Sequence, residues 1–159
     1  MIYSKTGLEL TEQFESCKLT AYQDVKGIWT IGWGHVGKEV CEGLVWTQDT
    51  ADYWLTQDTL HAQDVINALV KVPLTQEQFD AIVDFAFNCG CAAFAGSTML
   101  KLINSGMLAA AAEEFEKWDH ASGVVVAGLL RRRLAEEKEF NDSVAKNSDL
   151  LQRLAGGNS

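Results

Sequence analysis

Lys18-Leu19-Thr20-Ala21-Tyr22-Gln23-Asp24-Val25-Lys26-Gly27-Ile28-Trp29-Thr30-Ile31-Gly32-Trp33-Gly34-His35 is the stretch whose reading decides the fold. Its second half is rich in aromatic and β-branched residues, which suit strands, and its glycines interrupt a helix. Asp24-Val25-Lys26-Gly27 reads as a turn. The pattern predicts a β-hairpin, with a short third strand near residues 39–46. On its N-terminal side the chain reads as a helix. Thr6 and Glu9 have capping-box spacing, and Leu10, Phe14 and Cys17 follow at i, i+4 and i+7.

Everything beyond the hairpin reads as helical. Thr47 is placed to cap a long helix with Ala62, Val65, Ile66 and Leu69 on one face, interrupted at Val72-Pro73-Leu74. Thr75 and Gln78 offer a second capping box ahead of Phe79, Ile82, Val83 and Ala86, and Asn88-Cys89-Gly90 ends that helix. A shorter helix holds Met99, Leu100 and Ile103, and Asn104-Ser105-Gly106 stops it. Leu108, Ala111, Ala112, Phe115 and Trp118 form one further amphipathic stripe. The last main helix is expected over 127–140, a weaker one over 148–154, and Gly156 to Ser159 as a frayed end. The fold class is therefore α+β: an N-terminal helix, a small antiparallel sheet and a mostly helical lobe, with a cleft between lobes where ligands commonly bind.

The 159 residues suit one domain, and 47% hydrophobic residues suffice for a core. No apolar run is long enough to span a membrane. Met1 to Thr6 carries no basic patch followed by an apolar stretch, so no secretory signal is expected. A net charge of −9 makes the chain a poor partner for nucleic acid. Arg131-Arg132-Arg133 stands out against that acidity, and its plain reading is a solvated helix face. His35, His61 and His120 show no ligand spacing, and Cys89-x-Cys91 is not a zinc or redox motif, so neither metal nor organic cofactor is expected. Cys17, Cys41, Cys89 and Cys91 read as reduced, partly buried thiols. A Cys17–Cys41 disulfide after export stays open.

Two carboxyls stand in contrasting settings. Glu15 falls in the last turn of the first helix, where the negative end of the dipole disfavours its charge; Phe14 and Cys17 suggest apolar surface that would favour the protonated form further. Asp24 sits at the polar hairpin and is expected to stay ionised. One protonated and one ionised carboxyl are what cleavage of a glycosidic bond requires. Thr30, on the returning strand, is expected to face Asp24 and help hold a water.

Glu15-x8-Asp24-x5-Thr30 resembles the catalytic signature of the phage lysozymes, the muramidase endolysins. Leu19-Thr20-Ala21-Tyr22-Gln23-Asp24 and Gly27 to His35 resemble that family too. So do Phe87-Asn88-Cys89-Gly90 leading to Phe94 to Leu100, and Gly128 to Arg133 ahead of Glu136, Glu137 and Phe140. The likeness runs in family order over roughly residues 5–142. It implies a single lysozyme-like catalytic domain over 1–159, with a β-containing lobe at about 14–60. Residues of about 61–155 and the first helix would form the helical lobe. Glu15 would protonate the leaving oxygen of the β-1,4 bond between N-acetylmuramic acid and N-acetylglucosamine. Asp24 would activate a water or stabilise positive charge on the sugar, and Thr30 would position that water. The resemblance gives His35 a structural role near the glutamate. Arg132 is the best match for an arginine pairing with it, although the run of three leaves the register open. Trp29 and Trp33 either stack on sugars or pack in the core. Asn88, Gly90, Ser97 and Thr98 either line the cleft or serve as caps and turns.

The resemblance further implies peptidoglycan as partner, host-cell lysis, and inversion at the anomeric carbon, which needs carboxyls roughly 6.5–9.5 Å apart. The acidic charge departs from the family habit of basic enzymes meeting an anionic wall. The start lacks the apolar anchor of some relatives. A monomer is therefore expected to wait in the host cytoplasm and to need a separate holin for release. The competing readings are a lytic transglycosylase, which Asp24 and Thr30 speak against, and a non-catalytic or tail-associated wall-binding module of the same fold.

Overall fold

The computed structural model describes residues 1–121 and 123–156. Helix α1 (Lys5–Phe14) leads into the antiparallel pair β1 (Lys18–Gln23) and β2 (Trp29–Gly32). The long helix α2 (Gln48–Leu69) follows. Then come α3 (Gln76–Cys89), α4 (Cys91–Ala95), α5 (Thr98–Asn104), α6 (Leu108–Ala112), a 3-10 turn (Phe115–Trp118), a second small hairpin of β3 (His120–Ala121) and β4 (Val124–Val125), and α7 (Ala127–Gly156).

The caps explain where the helices start. Thr47 Oγ1 accepts from the Thr50 amide and starts α2. Thr75 and Gln78 form the full reciprocal capping box that starts α3, satisfying two amides that a helix end otherwise leaves open. α1 is capped by Ser4 rather than Thr6: Ser4 Oγ accepts from the Gly7 amide and donates to Asp80 on α3. A tertiary partner thus accompanies the cap at Ser4, two residues ahead of the expected position. Gly7 is required there, because a Cβ would come within 2.2 Å of the Tyr3 ring lying across it.

The main core surrounds α3. Its inward face, including Phe79, Ile82, Val83, Phe85 and Ala86, is almost wholly buried against α1, α2 and α7. Phe85 meets Phe94, Phe115 and Trp118 edge-on, and Phe115 meets Phe140. Such pairs add roughly 0.5–1.5 kcal/mol each beyond burial. The hairpin has its own small core of Ile31, Val40, Ala51 and Leu55. Trp46 and Trp54 stack at 5.9 Å beside it, with His35 at 4.4 Å from the Trp54 ring. Helix α2 joins the two regions, packing on β2 near its start and on α3 further along.

Several boundaries differ from the sequence reading. The expected third strand is an edge of backbone bonds, Trp46 N to Leu19 O and Ala21 N to Leu44 O, with a bridge between Thr20 and Val45. The stripe 108–118 is broken into α6 and a 3-10 turn, whose i→i+3 bonds run from Glu114 N to Ala111 O and from Lys117 N to Glu114 O. The two expected C-terminal helices are one continuous helix, for no proline or glycine stands between Gly128 and Gly156. Gly156 belongs to α7, and the fray expected at residues 157–159 lies outside the described residues. α4 and the β3–β4 hairpin were not foreseen.

Candidate active site

Helix α1 ends at Phe14, and Glu15 is its C-cap, with extended backbone and its amide still bonded to Thr11 O at 3.1 Å. It stands one residue past the turn the sequence suggested. The Glu15 side chain, 27% exposed, helps line a cavity of about 360 Å3 with Phe14, Asn88, Leu129, Arg131 and Arg132. Cys17 instead lies against Gln48.

Arg132 is the member of the basic run that reaches Glu15. Its Nη1 donates to Glu15 Oε1 at 2.5 Å, while its Nε and Nη2 donate to the two oxygens of Asp84 at 3.0 and 2.8 Å. The fork matches the carboxylate, which makes the contact strong and directional. Arg132 is 3% exposed and Asp84 fully buried. Burial opposes charge on Asp84, yet the bonds and charge of Arg132 outweigh it and hold its carboxyl below the usual range. Burial likewise works against the Arg132 charge, and Asp84 and Glu15 overcome it. Thr11 donates to Asp84 Oδ1 at 2.7 Å and shares a 2.8 Å bond with the Tyr3 hydroxyl, so α1 is tied to the same cluster.

Arg133 is buried as well. Its Nη2 donates to Glu136 Oε1 at 2.6 Å and to Asn88 Oδ1 at 3.0 Å, and its Nη1 to Cys89 Sγ at 2.5 Å. Burial and the charge of Asp84 push the Glu136 carboxyl well above its ordinary range, against the pull of both arginines. The expectation of a solvated basic face is thus overturned for two of the three arginines; Arg131 alone is exposed. The cost of burying the Arg132 guanidinium is offset by Asp84 and Glu15, whereas Arg133 Nε and Glu136 Oε2 are buried with no hydrogen-bond partner among the described residues.

The hairpin carries the other carboxyl. Asp24 Oδ1 accepts from the Lys26 and Ile28 amides at 2.8 and 2.9 Å, and Asp24 N donates to Ile28 O. Gly27, at φ +78°, lets the turn close. Thr30 is buried and pairs with Tyr22, not with Asp24. Strand alternation carries Tyr22 and Asp24 to one face, so Thr30 is a diagonal neighbour of Asp24 rather than its opposite. Its hydroxyl donates to Ile28 O at 3.0 Å. The cavity gathers Glu15, Asn88 and Arg132; Asp24 and Thr30 belong to the hairpin and do not line it.

The remaining candidates are placed as follows. His35 Nδ1 meets Asp58 at 2.9 Å and Nε2 meets Glu39 at 2.7 Å. Burial alone would lower the imidazole pKa, but the bonds to Glu39 and Asp58 raise it on balance. Trp29 is half-buried in β2, opposite Gln23. Trp33 Nε1 donates to Asp52 at 2.8 Å and ties the hairpin to α2. Ser97 caps α5 through a bond from Leu100 N, and Thr98 opens that helix. Gly90, at φ +95°, closes α3. All four cysteines are free thiols, and no group of residues suited to a metal occurs among the described residues.

Asp84 went unnoticed in the sequence, and Glu136 was noted only within the resemblance, not as a partner of the arginines. A signal existed: Asp80, Asp84 and Asn88 recur at i, i+4 and i+8 in a helix otherwise rich in apolar residues, and an acid drawn into the core with such a helix needs a partner.

The family model for phage lysozymes matches residues 12–136. An endolysin of Bacillus phage PZA is 40% identical over 92% of this chain, which spans 58% of that relative's length. An endolysin of Acyrthosiphon pisum secondary endosymbiont phage 1 is 40% identical over 90% of this chain and all of its own. The structure of a P22 lysozyme variant superposes with a TM-score of 0.83 at 39% identity, covering 88% of this chain and 98% of that one. The architecture is lysozyme-like.

Proposed function

Because this chain belongs to the phage lysozyme family, we propose that it is an endolysin hydrolysing the β-1,4 bond between N-acetylmuramic acid and N-acetylglucosamine in peptidoglycan. One observation carries the reading. Glu15, at the wall of an open cavity, has one oxygen clamped by a buried guanidinium, and no residue among those described bonds to its Oε2. A carboxyl so held is fixed in direction yet open to a ligand.

Glu15 is the general acid, and Oε2 is the oxygen that hands its proton to the leaving sugar oxygen. Asp24 acts from the hairpin. Its Oδ1 is committed to the turn amides, which leaves Oδ2 to accept a proton from the attacking water or to face charge at the anomeric carbon. Thr30, diagonal to Asp24, positions that water. Arg132 and Asp84 hold Glu15 in place, while His35, Trp29 and Ser97 support the scaffold around the hairpin and α5. Water is the only co-reactant this chemistry needs. The substrate is the wall polymer rather than nucleic acid, consistent with a charge of −9. A monomer that waits in the host cytoplasm and is released by a separate holin completes the reading: expression without a holin would leave cells intact, and prompt lysis would refute that part.

Mass spectrometry of digested, purified peptidoglycan tests the activity. Products with hydrated reducing ends are expected. Anhydro ends would make the protein a transglycosylase, and uncut polymer would make it a wall-binding module. Proton NMR of the first-formed product reads the stereochemistry: an α-anomer is expected for inversion, and a β-anomer would mean retention.

A further inference from the structure

Arg133 does work in this fold that the reaction above leaves unused. It is 0% exposed, sits 5.0 Å over the Phe85 ring, and is fixed by Glu136 and Cys89. Its remaining contact goes to Asn88, an exposed residue at the end of α3. Asn88 lines the cavity beside Glu15 and also a neighbouring one of about 350 Å3 bounded by Cys89, Lys117, Trp118, His120 and Leu129.

A guanidinium has five donors and no acceptor. The atom of Asn88 that faces Arg133 must therefore be its oxygen, which settles an amide orientation that is otherwise free to flip. The other end of the amide is the NH2 group, and no residue among those described accepts from it. We infer that Arg133 is a positioning residue that turns the Asn88 amide, so that its NH2 donates to an oxygen acceptor of the bound substrate. The inference rests on the hydrolase reading for its ligand. Peptidoglycan offers two sources of such an oxygen: the acetamido carbonyls of the sugars, and the carbonyls and carboxylates of the stem peptides. The exposed Arg131 on the same cavity suits an electron-rich group there.

The test is calorimetric binding in the Glu15→Gln protein, so that cleavage does not intervene. The probes are a tetrasaccharide of two N-acetylglucosamine–N-acetylmuramic acid units, with and without stem peptides. Asn88→Asp keeps an acceptor for Arg133 but removes the NH2. It is expected to raise Kd at least about tenfold, the loss of one well-placed bond made worse by a new charge. An effect on both probes assigns the acetamido carbonyls, and an effect confined to the peptide-bearing probe assigns the stem; either supports the inference. A Kd within twofold of the parent on both overturns it. Arg133→Met frees the amide to flip and is expected to raise Kd about threefold to fivefold, with Arg133→Lys restoring part of the loss. If Arg133→Met does not fold, the Asn88 side-chain NH2 resonances decide. They are expected to shift on titration of the parent, and signals that do not move overturn the inference. Cleavage by the Glu15-intact protein is scored separately. Weakened binding without any cleavage would remove the hydrolase reading alone, and cleavage with unchanged binding would remove only the role of Arg133.

Discussion

The two carboxyls at the centre of this protein are positioned by opposite means. Asp24 is held by amides two and four residues away, within one hairpin turn. Glu15 is held by Arg132, 117 residues further along, and Arg132 in turn by Asp84 on a third helix. The first arrangement is local and solvated; the second is assembled by the whole helical core and largely buried. Disturbing the hairpin turn should therefore touch activity with little effect on stability. Disturbing the cluster behind Glu15 should damage both.

The sharpest way to break the contrast is Asp84→Ala. It leaves Arg132 buried without the two hydrogen bonds to Asp84, and breaking such a pair costs about 3–5 kcal/mol. Denaturant unfolding should show that loss, with clearing of permeabilised cells reduced alongside. A loss under 1 kcal/mol would mean the cluster does not organise the fold. Asp24→Asn is the counterpart: we expect at least about a tenfold drop in the rate of clearing, with stability changed by less than about 0.5 kcal/mol. A stability loss as large as that of Asp84→Ala would erase the distinction. Thr75→Ala removes one side of a capping box far from either carboxyl and should cost about 1 kcal/mol in the same unfolding assay, with activity unchanged.

His35 sharpens the comparison on the hairpin side. Its folded pKa lies above the ordinary value of 6.5 because of Glu39 and Asp58. A raised histidine pKa contributes stability that is fully present below the unfolded pKa and is lost as pH rises through the folded one. Thermal midpoints of wild type and His35→Gln should therefore differ more at pH 6 than at pH 9. A gap independent of pH would remove the imidazolium from the hairpin's stability.

The same local-versus-distant division governs what the sequence made legible. The β1–β2 hairpin, the Thr47 cap, the Thr75–Gln78 box and the breaks at Pro73 and Gly90 are all written in neighbouring residues, and each was readable. Ser4 caps α1 in place of Thr6, and its bond to Asp80 is one that no local window contains. The 108–118 stripe kept its buried face but not its helix type, since periodicity cannot distinguish i→i+3 from i→i+4 bonding over so few residues. Arg132 and Arg133 looked like part of a solvated face because Asp84 and Asn88, to which they also bond, lie 45 or more residues away. In the site, Glu15, Asp24 and Thr30 were singled out by spacing and resemblance. The contacts that fix their directions depended on tertiary structure.

The central claim is that Glu15 supplies the proton that breaks the glycosidic bond. Turbidity loss of outer-membrane-permeabilised cells, comparing wild type with folded Glu15→Gln protein at equal concentration, tests it most directly. The account predicts that the variant clears cells at least about a hundredfold more slowly. Clearing at the wild-type rate would contradict it.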